Sequence, residues 1–196
     1  MKRTVKTIGL ATISTLLLAG CGFNRSNPDD NYTAHPYDAP PISESLKREF
    51  LDAVNKARSV GRSCGKYGFY HATKPLVWDD NLYRAAYEHS QDMAEASHYE
   101  HDGSGTNSDW TSVVQELGRP SYFYERAKNN KADYVWEENI AAGYHSTKVV
   151  VEGFLNSPGH CTGIMSPENN VFGMAKVTNT NSKYKVYWTQ EFGQIE

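Results

Sequence analysis

The side chains best suited to chemistry lie at a few places in this 196-residue chain. Glu138 sits in a run of polar residues, His160 follows one predicted helix later, and His101 comes just after an earlier amphipathic helix that carries His89. Two imidazoles and a carboxylate are ligand types that Zn²⁺ uses when its fourth position stays open, and the ion would lower the pKa of a bound water. Without a metal, the same groups would form a hydrogen-bonded network in which Glu138 orients one histidine. Because His89 lies in an apolar helix stripe, we expect it to be a core residue.

The sequence offers no other convincing catalytic signature. It contains neither H-E-x-x-H nor C-x-x-C. Ser63–Lys66 matches the S-x-x-K pattern of penicillin-binding enzymes, but the rest of that signature is missing and no helix is predicted there. A binding module and a hydrolase therefore both remain open.

The three cysteines divide into a predicted lipid anchor and a predicted pair. If Cys21 carries lipid, Cys64 and Cys161 are left to bond in an oxidising, exported setting. Such a disulfide closes a long loop and would stabilise the fold by about 4 kcal/mol on the chain-entropy model. The alternative, Cys161 as a nucleophile paired with His160, is weaker because adjacent side chains rarely point at each other usefully.

The N-terminus has the features of a bacterial export signal. Met1–Lys6 is positively charged, and Ile8–Leu18 is apolar but too short for a stable membrane span. The following Leu18-Ala19-Gly20-Cys21 resembles the lipobox, in which the cysteine becomes the acylated first residue of the mature protein. Several acyl chains, such as palmitate, anchor a protein far better than one.

Three segments follow from this interpretation. Residues 1–20 are predicted to be a lipoprotein signal peptide, 21–42 a flexible tether rich in Asn, Asp, Pro and Ser, and 43–196 a single folded domain. By resemblance to sorting rules in double-membraned bacteria, Gly22 after Cys21 favours the outer membrane. We therefore expect a lipid-anchored protein of the cell envelope, either periplasmic or surface-exposed.

The charge of the predicted mature chain excludes a basic surface for nucleic acid. Removal of Lys2, Arg3 and Lys6 leaves 17 Lys and Arg against 23 Asp and Glu, a formal charge of −6. Proteins that bind the phosphate backbone carry the opposite excess. The expected partners are the membrane, through Cys21, and a lipid, cell-wall or protein ligand.

Hydrophobic spacing predicts helices first and a strand hairpin last. Val113, Val114 and Leu117 are expected to face inward, and Pro158-Gly159 to end the last helix. The predicted helices cover residues 44–60, 79–96, 107–117 and 147–156, and the predicted strands 134–136, 171–178 and 184–192. This order indicates an α+β fold in which helices cover both faces of a small antiparallel sheet.

Six short sequence blocks lie in order along nearly all of residues 45–194. The blocks are Pro75-Leu76-Val77-Trp78, Ala85-Ala86 with His89 and Met93, Tyr99–Gly103, Glu138–Gly143, Ser157–Cys161 and Tyr187–Gly193. In this order they resemble the CAP superfamily (cysteine-rich secretory, antigen 5, pathogenesis-related 1), and most closely its bacterial secreted SCP-like branch. The resemblance implies a three-layer α-β-α sandwich with a cleft lined by two histidines and two acidic residues.

Three of the four cleft residues that the resemblance implies have a matching residue in this chain. His101 is similar to the first cleft histidine, Glu138 to the first glutamate and His160 to the second histidine, and these three are the candidate zinc ligands. The second glutamate does not transfer, because Phe154 stands at the family's tryptophan position and Ser157 at its glutamate position. Its loss removes one ligand or orienting group.

Two functions follow from the resemblance. The first is an envelope-anchored binding module whose cleft takes an apolar or amphiphilic ligand, or a cell-envelope partner, as lipid binding in eukaryotic relatives suggests. The second is a metal-assisted, peptidase-like hydrolase that uses the three cleft residues. Aromatic residues near them in sequence are expected to stack on a sugar ring or a lipid, namely Tyr99, Tyr144, Tyr187 and Trp188.

Overall fold

The computed structural model describes residues 38–196. The predicted signal peptide, Cys21 and most of the predicted tether lie outside these residues. Within the described part, no helix combines the length and the apolar character needed to cross a bilayer.

The described residues contain six α-helices and six β-strands. The first helix begins where predicted, since the Ser43 hydroxyl accepts a hydrogen bond from the backbone N–H of Leu46. The helices are α1 (Glu44–Arg58), α2 (Asp80–Ala96), α3 (Trp110–Val114), α4 (Phe123–Asn129), α5 (Thr147–Asn156) and α6 (Pro158–Met165). The strands are β1 (Arg62–Ser63), β2 (Phe69–Tyr70), β3 (Val77–Trp78), β4 (Val135–Ala142), β5 (Val171–Thr178) and β6 (Val186–Gly193).

The main sheet has the strand order β3-β5-β6-β4. The β5–β6 and β6–β4 pairings are antiparallel, as predicted, while the short β3 pairs parallel with β5. Strands β1 and β2 form a separate two-stranded ribbon in a region where the sequence predicts no strand. Strand β4 therefore lies at an edge of the main sheet.

Helices cover both faces of this sheet, which confirms the predicted α-β-α sandwich. Trp188 and Phe192 of β6 face the core formed with α1, α5 and α6. Tyr187 and Thr189 face the other side, where Thr189 bonds to Ser90 of α2. On that side α2 contacts the sheet closely at Gly173, because a Cβ there would lie 2.2 Å from the backbone nitrogen of Tyr83.

The predicted disulfide between Cys64 and Cys161 is confirmed. It joins the segment after α1 to the first half of α6, and both cysteines are buried. Cys161 is therefore not available as a nucleophile. The spacing of Gly61–Gly65 also fits G-x-S-x-G, but Ser63 lies in the two-residue strand β1 and not at a strand-to-helix turn.

One prediction about local structure is wrong, and two helices were not predicted. The short helix covers only Trp110–Val114, with Val113 and Val114 exposed, because Thr111 turns inward to the buried carboxylate of Glu88. The segment after it, which could not be placed from sequence, contains α4. The helix over residues 147–156 ends before Pro158-Gly159, as predicted, but these two residues also begin a further helix, α6, since proline is well tolerated in the first turn of a helix.

Candidate functional site

Glu138 lies at the centre of the predicted site, on the edge strand β4. Its side chain is only 1% exposed, and each carboxylate oxygen holds a charged or polar donor. Arg126 Nη2 donates to Oε2 over 2.8 Å, and His101 Nδ1 donates to Oε1 over 2.8 Å. Burial alone would raise the pKa of Glu138, but the adjacent Arg126 and the two hydrogen bonds hold it well below its usual range.

Arg126, which the sequence analysis missed, is the cation that keeps Glu138 ionised. Helix α4 places its side chain in the interior, where it is 1% exposed. It also donates to the backbone carbonyls of His101 and Ser121 and to the Ser121 hydroxyl. One guanidinium therefore joins the loop of His101, the start of α4 and the edge strand.

His101 lies at the surface of the same network. Its side chain is 54% exposed, and the hydrogen bond to Glu138 raises its pKa above the usual value. The bond uses Nδ1 and leaves Nε2 directed away from Glu138. The carboxylate thus orients the imidazole, as predicted for the network without metal.

His89 is a core histidine, as expected. It is fully buried, with Nε2 3.1 Å from the carbonyl oxygen of Glu100. Burial and the charge of Arg126 lower its pKa to about 3. The ring is therefore neutral at physiological pH, and its 3.9 Å approach to Glu138 is not an ion pair.

His160 belongs to a different environment. It lies in the first turn of α6, and its imidazole meets the ring of Phe154 edge-on, with centroids 5.3 Å apart. Burial, and then the charge of His101, lower the pKa of His160. Within residues 38–196, no hydrogen bond or ion pair joins its ring to Glu138. Its backbone carbonyl is fixed by the side-chain amide of Asn139.

A second buried glutamate lies beside Glu138. Glu191 of β6 pairs with Glu138 in the antiparallel register, so both side chains lie on the α2 face of the sheet. Neither carboxyl oxygen of Glu191 has a hydrogen-bond partner within the described residues. Burial, reinforced by the charge of Glu138, raises its pKa well above the usual range, so Glu191 is a neutral acid. The sequence signal that could have identified Glu191 is a charged residue at an inward-facing position of a mostly apolar strand.

The cleft at the edge of β4 has a volume of about 400 Å³. His101 and Glu138 line it, whereas from α6 the lining contains Gly159 and Gly163 but not His160. The aromatic residues predicted to stack on a ligand are not part of the lining, and two of them, Tyr187 and Trp188, are buried in the core. The aromatic lining comes instead from α4 and β4, with Tyr122, Phe123, Tyr124 and Trp136.

The predicted zinc site consists of two imidazoles and the carboxylate of Glu138, which already accepts hydrogen bonds from His101 and Arg126. Both carboxylate oxygens of Glu138 already accept a hydrogen bond from a basic side chain, so its geometry suits an orienting group better than a ligand. In the described part of the chain, no three His, Cys, Asp or Glu side chains are arranged to hold a metal ion. Zinc binding stays a prediction, and we derive no catalytic step from it.

A second, larger cavity lies between α1 and α5, with a volume of about 600 Å³. Its wall is apolar, with Ala53 and Ala57 from α1 and Val151 and Leu155 from α5. Three basic residues line the same groove, namely Lys56, Arg62 and Lys148. The sequence analysis did not predict this groove, because it depends on how two helices distant in sequence pack.

The sandwich and the edge-strand cleft define a small α-β-α domain in which a histidine–carboxylate pair is held by a buried arginine. The model of the family described as CAP: Cysteine-rich secretory protein family matches residues 51–192. The chain belongs to this family, as its sequence blocks indicated.

Relatives and solved structures agree with this assignment. The chain is 29% identical over 154 residues to the uncharacterised protein YkwD of Bacillus subtilis and 26% identical over 151 residues to the uncharacterised membrane protein YlbC of the same species. It covers 49% and 35% of their lengths, and they cover 79% and 77% of this chain. The chain thus spans half or less of these curated relatives.

Two solved structures share the fold. An extracellular SCP-domain protein of Bacillus anthracis matches with a TM-score of 0.53 and 22% identity, over 80% of this chain and 45% of its own. An outer surface protein of Borrelia burgdorferi matches with a TM-score of 0.56 and 17% identity, over 81% of this chain and 99% of its own. At these identities the likeness concerns the fold alone.

Proposed function

We propose that this protein is a ligand-binding module of the cell envelope and that the groove between α1 and α5 holds an amphiphilic ligand with an anionic head group. The observation that carries the proposal is the composition of that groove: an apolar wall next to basic side chains. An acyl chain would cover the wall, and each methylene removed from water contributes about 0.8 kcal/mol. The sequence analysis predicted the same ligand class, but at the cleft.

The charges around the groove favour an anionic head group. Arg62 Nε is buried and has no hydrogen-bond partner within residues 38–196. Two carboxylates also line the groove, Glu49 and Glu152, and Glu49 already accepts a hydrogen bond from the Thr147 hydroxyl. A carboxylate or phosphate at the groove would supply the acceptor that Arg62 lacks, and a guanidinium suits either group.

The chemistry of the cleft also supports binding over hydrolysis. Glu138 is committed to Arg126 and His101, and Cys161 to a disulfide. His160 packs on Phe154 and makes no hydrogen bond to a hydroxyl or thiol within the described residues. An activated nucleophile needs a base within hydrogen-bond reach, and none of these residues provides that arrangement.

The envelope location rests on the predicted lipobox and on the relatives. One fold neighbour is named an extracellular protein, another an outer surface protein, and one relative a membrane protein. These names describe those proteins, and they support the same location for this chain.

The test is fatty-acid binding by the full chain carrying Cys21→Ser, which removes the predicted acylation site. A fluorescent fatty acid is titrated in and then displaced by palmitate. Leu155→Asp and Arg62→Ala should each weaken binding at least about tenfold, since one places a charge on the apolar wall and the other removes the unpaired donor. Trp136→Ala, in the separate cleft, is the matched control and should bind normally. Absence of binding, or equal binding by the groove variants, would contradict the proposal.

A further inference from the structure

We propose that a second ligand site lies along the outer edge of β4, where an extended peptide binds with a lysine-type ammonium group in the aromatic cleft. This site is separate from the α1–α5 groove and does not depend on it. The three observations that carry it are the direction of the β4 backbone, the exposed aromatic wall and the excess of carboxylates.

The backbone of β4 is directed into the cleft at alternate residues. The carbonyl of Ile140 points away from β6, because it accepts a hydrogen bond from the hydroxyl of Tyr99 outside the sheet. Gly143 N–H, by contrast, donates to Val186 of β6. Since backbone groups alternate along an antiparallel strand, those of Glu138 also point outward, toward the cleft that Glu138 lines. Because Tyr99 occupies the carbonyl of Ile140 and the pairing register shifts between Val135 and Glu137, the open part of this edge is short and centres on Glu138, where an extended peptide can pair.

The wall of the cleft presents two aromatic rings to solvent. Trp136 is 62% exposed and makes no ring contact with another aromatic side chain within the described residues. Tyr124 is 51% exposed. Tyr122 is less available, because Tyr124 stacks on it and the guanidinium of Arg119 lies 4.5 Å from its ring centre. Trp136, and the face of Tyr124 that is not stacked on Tyr122, therefore offer π surface, which attracts ammonium groups.

The charge of the cleft selects a cation. Glu137 and Asp102 line it, and within the described residues neither forms a salt bridge, although the charge of Asp102 helps to raise the pKa of His101. One oxygen of Glu137 accepts a hydrogen bond from Asn169, which fixes the side chain and leaves the other oxygen available. The imidazole of His101 is already paired with Glu138. An ammonium group between the rings and these carboxylates would contact the π faces and neutralise carboxylate charge.

A peptide fits better than a free amine or a neutral sugar. Side chains of a paired strand alternate in direction, so a lysine can reach the aromatic wall while its backbone bonds to β4. A sugar would use the rings but not the unpaired carboxylate charge. The cleft continues past Trp136 and Glu137 into a second hollow of about 280 Å³ that reaches Asn169 and Gln194, which lengthens the surface available to an extended chain.

The test is an NMR titration of the ¹⁵N-labelled full chain carrying Cys21→Ser, followed at the indole N–H of Trp136. The probe is a blocked pentapeptide, acetyl-Gly-Val-Lys-Val-Gly-amide, with a norleucine peptide as its uncharged match. The lysine peptide should shift Trp136 and the β4 amides and bind at least about tenfold more tightly than the norleucine peptide. Trp136→Ala, followed at the β4 amides, and Glu137→Gln should each weaken binding at least about fivefold. Leu155→Asp, in the α1–α5 groove, should have no effect.

Each alternative outcome overturns the proposal. Equal binding of the norleucine peptide would show that the ammonium group is not recognised. Equal binding of acetyl-lysine methylamide would show that β4 does not pair with a peptide backbone. Shifts caused by chitotriose and not by the lysine peptide would assign the cleft to sugars, and no shift with any probe would remove the site. Fatty-acid binding is measured separately, so either proposal can fail without the other.

Discussion

Arg126→Met should lower the free energy of unfolding by about 3–5 kcal/mol, because it leaves the carboxylate of Glu138 buried without its cation. Both side chains are 1% exposed and their charged atoms are 2.8 Å apart, so water has little access to replace the guanidinium. The same change removes the donor from the carbonyls of His101 and Ser121. A domain of this size has a total stability of about 5–15 kcal/mol, so the loss would be a large share.

Urea denaturation followed by circular dichroism measures this loss. With a slope of about 2 kcal/mol per molar urea, the midpoint should fall by about 1.5–2.5 M. Adding Glu138→Gln to Arg126→Met should recover at least about 1 kcal/mol, since no charge is then stranded. Lys128→Met, at an exposed basic position on the same helix, is the control and should change stability by less than about 0.5 kcal/mol.

The pH dependence provides an independent check of the same ion pair. The pKa of Glu138 is depressed in the folded protein, so its contribution is present above the unfolded value of about 4.3 and is lost as pH falls through the folded pKa. In Arg126→Met the unpaired carboxylate of Glu138 should have a raised pKa. The loss in free energy of unfolding caused by Arg126→Met should therefore become smaller as pH falls from 7 to 5. A loss below about 1 kcal/mol, or a double variant no more stable than the single one, would refute the reasoning.

Other predictions concern the disulfide, the imidazole, the metal and the anchor. Cys64→Ser and Cys161→Ser should each cost about 4 kcal/mol in urea denaturation, because the bond spans a sequence separation of 97, and the double variant should lose no more. Glu138→Gln should lower the pKa of His101 measured by NMR, and an unchanged pKa would contradict the hydrogen bond between the two side chains. Because the pKa of His101 is raised in the folded protein, the stability it contributes is present below the unfolded pKa of about 6.5 and is lost as pH rises through the folded pKa. If zinc binds, metal analysis of the native protein should find it in stoichiometric amount and His101→Ala should lose it, whereas metal-free native protein would contradict zinc binding. Cys21→Ser should move the protein from the membrane to the soluble fraction, and continued sedimentation with membranes would contradict lipidation.

The parts of the fold with strong local signals could be predicted from sequence. The strand over residues 171–178 has the predicted bounds, because a turn-rich tetrad follows it. The helix over residues 147–156 also has its predicted bounds, with Ser146 as its cap and Val150 and Phe154 buried. The Cys64–Cys161 bond followed from cysteine number and compartment. In each case the deciding residues are few and their preferences do not depend on distant parts of the chain.

The polar interior could not be predicted in the same way. Val113 and Val114 looked like a buried stripe, yet Thr111 faces inward because Glu88, distant in sequence, accepts its backbone N–H and its hydroxyl. Arg126 gave no signal either, since a basic residue in a short polar helix usually faces water. Its role depends on the approach of β4, which only the tertiary fold determines.

Because the second glutamate is missing, the polar centre of the cleft differs from the one that the family resemblance implies. Phe154 and Ser157 stand where the family resemblance placed a tryptophan and that glutamate, and the buried ring of Phe154 holds the imidazole of His160 by edge-on contact. His160 is therefore a packed residue beside the cleft, and the polar centre consists of Glu138 with Arg126 and His101. An ion pair that is fully buried fixes the floor of the cleft but leaves little charge to offer a ligand. In our proposal, recognition then depends on the exposed Trp136 and on Glu137 and Asp102, which form no salt bridge within the described residues, and this separation of a rigid floor from an exposed wall favours binding over catalysis.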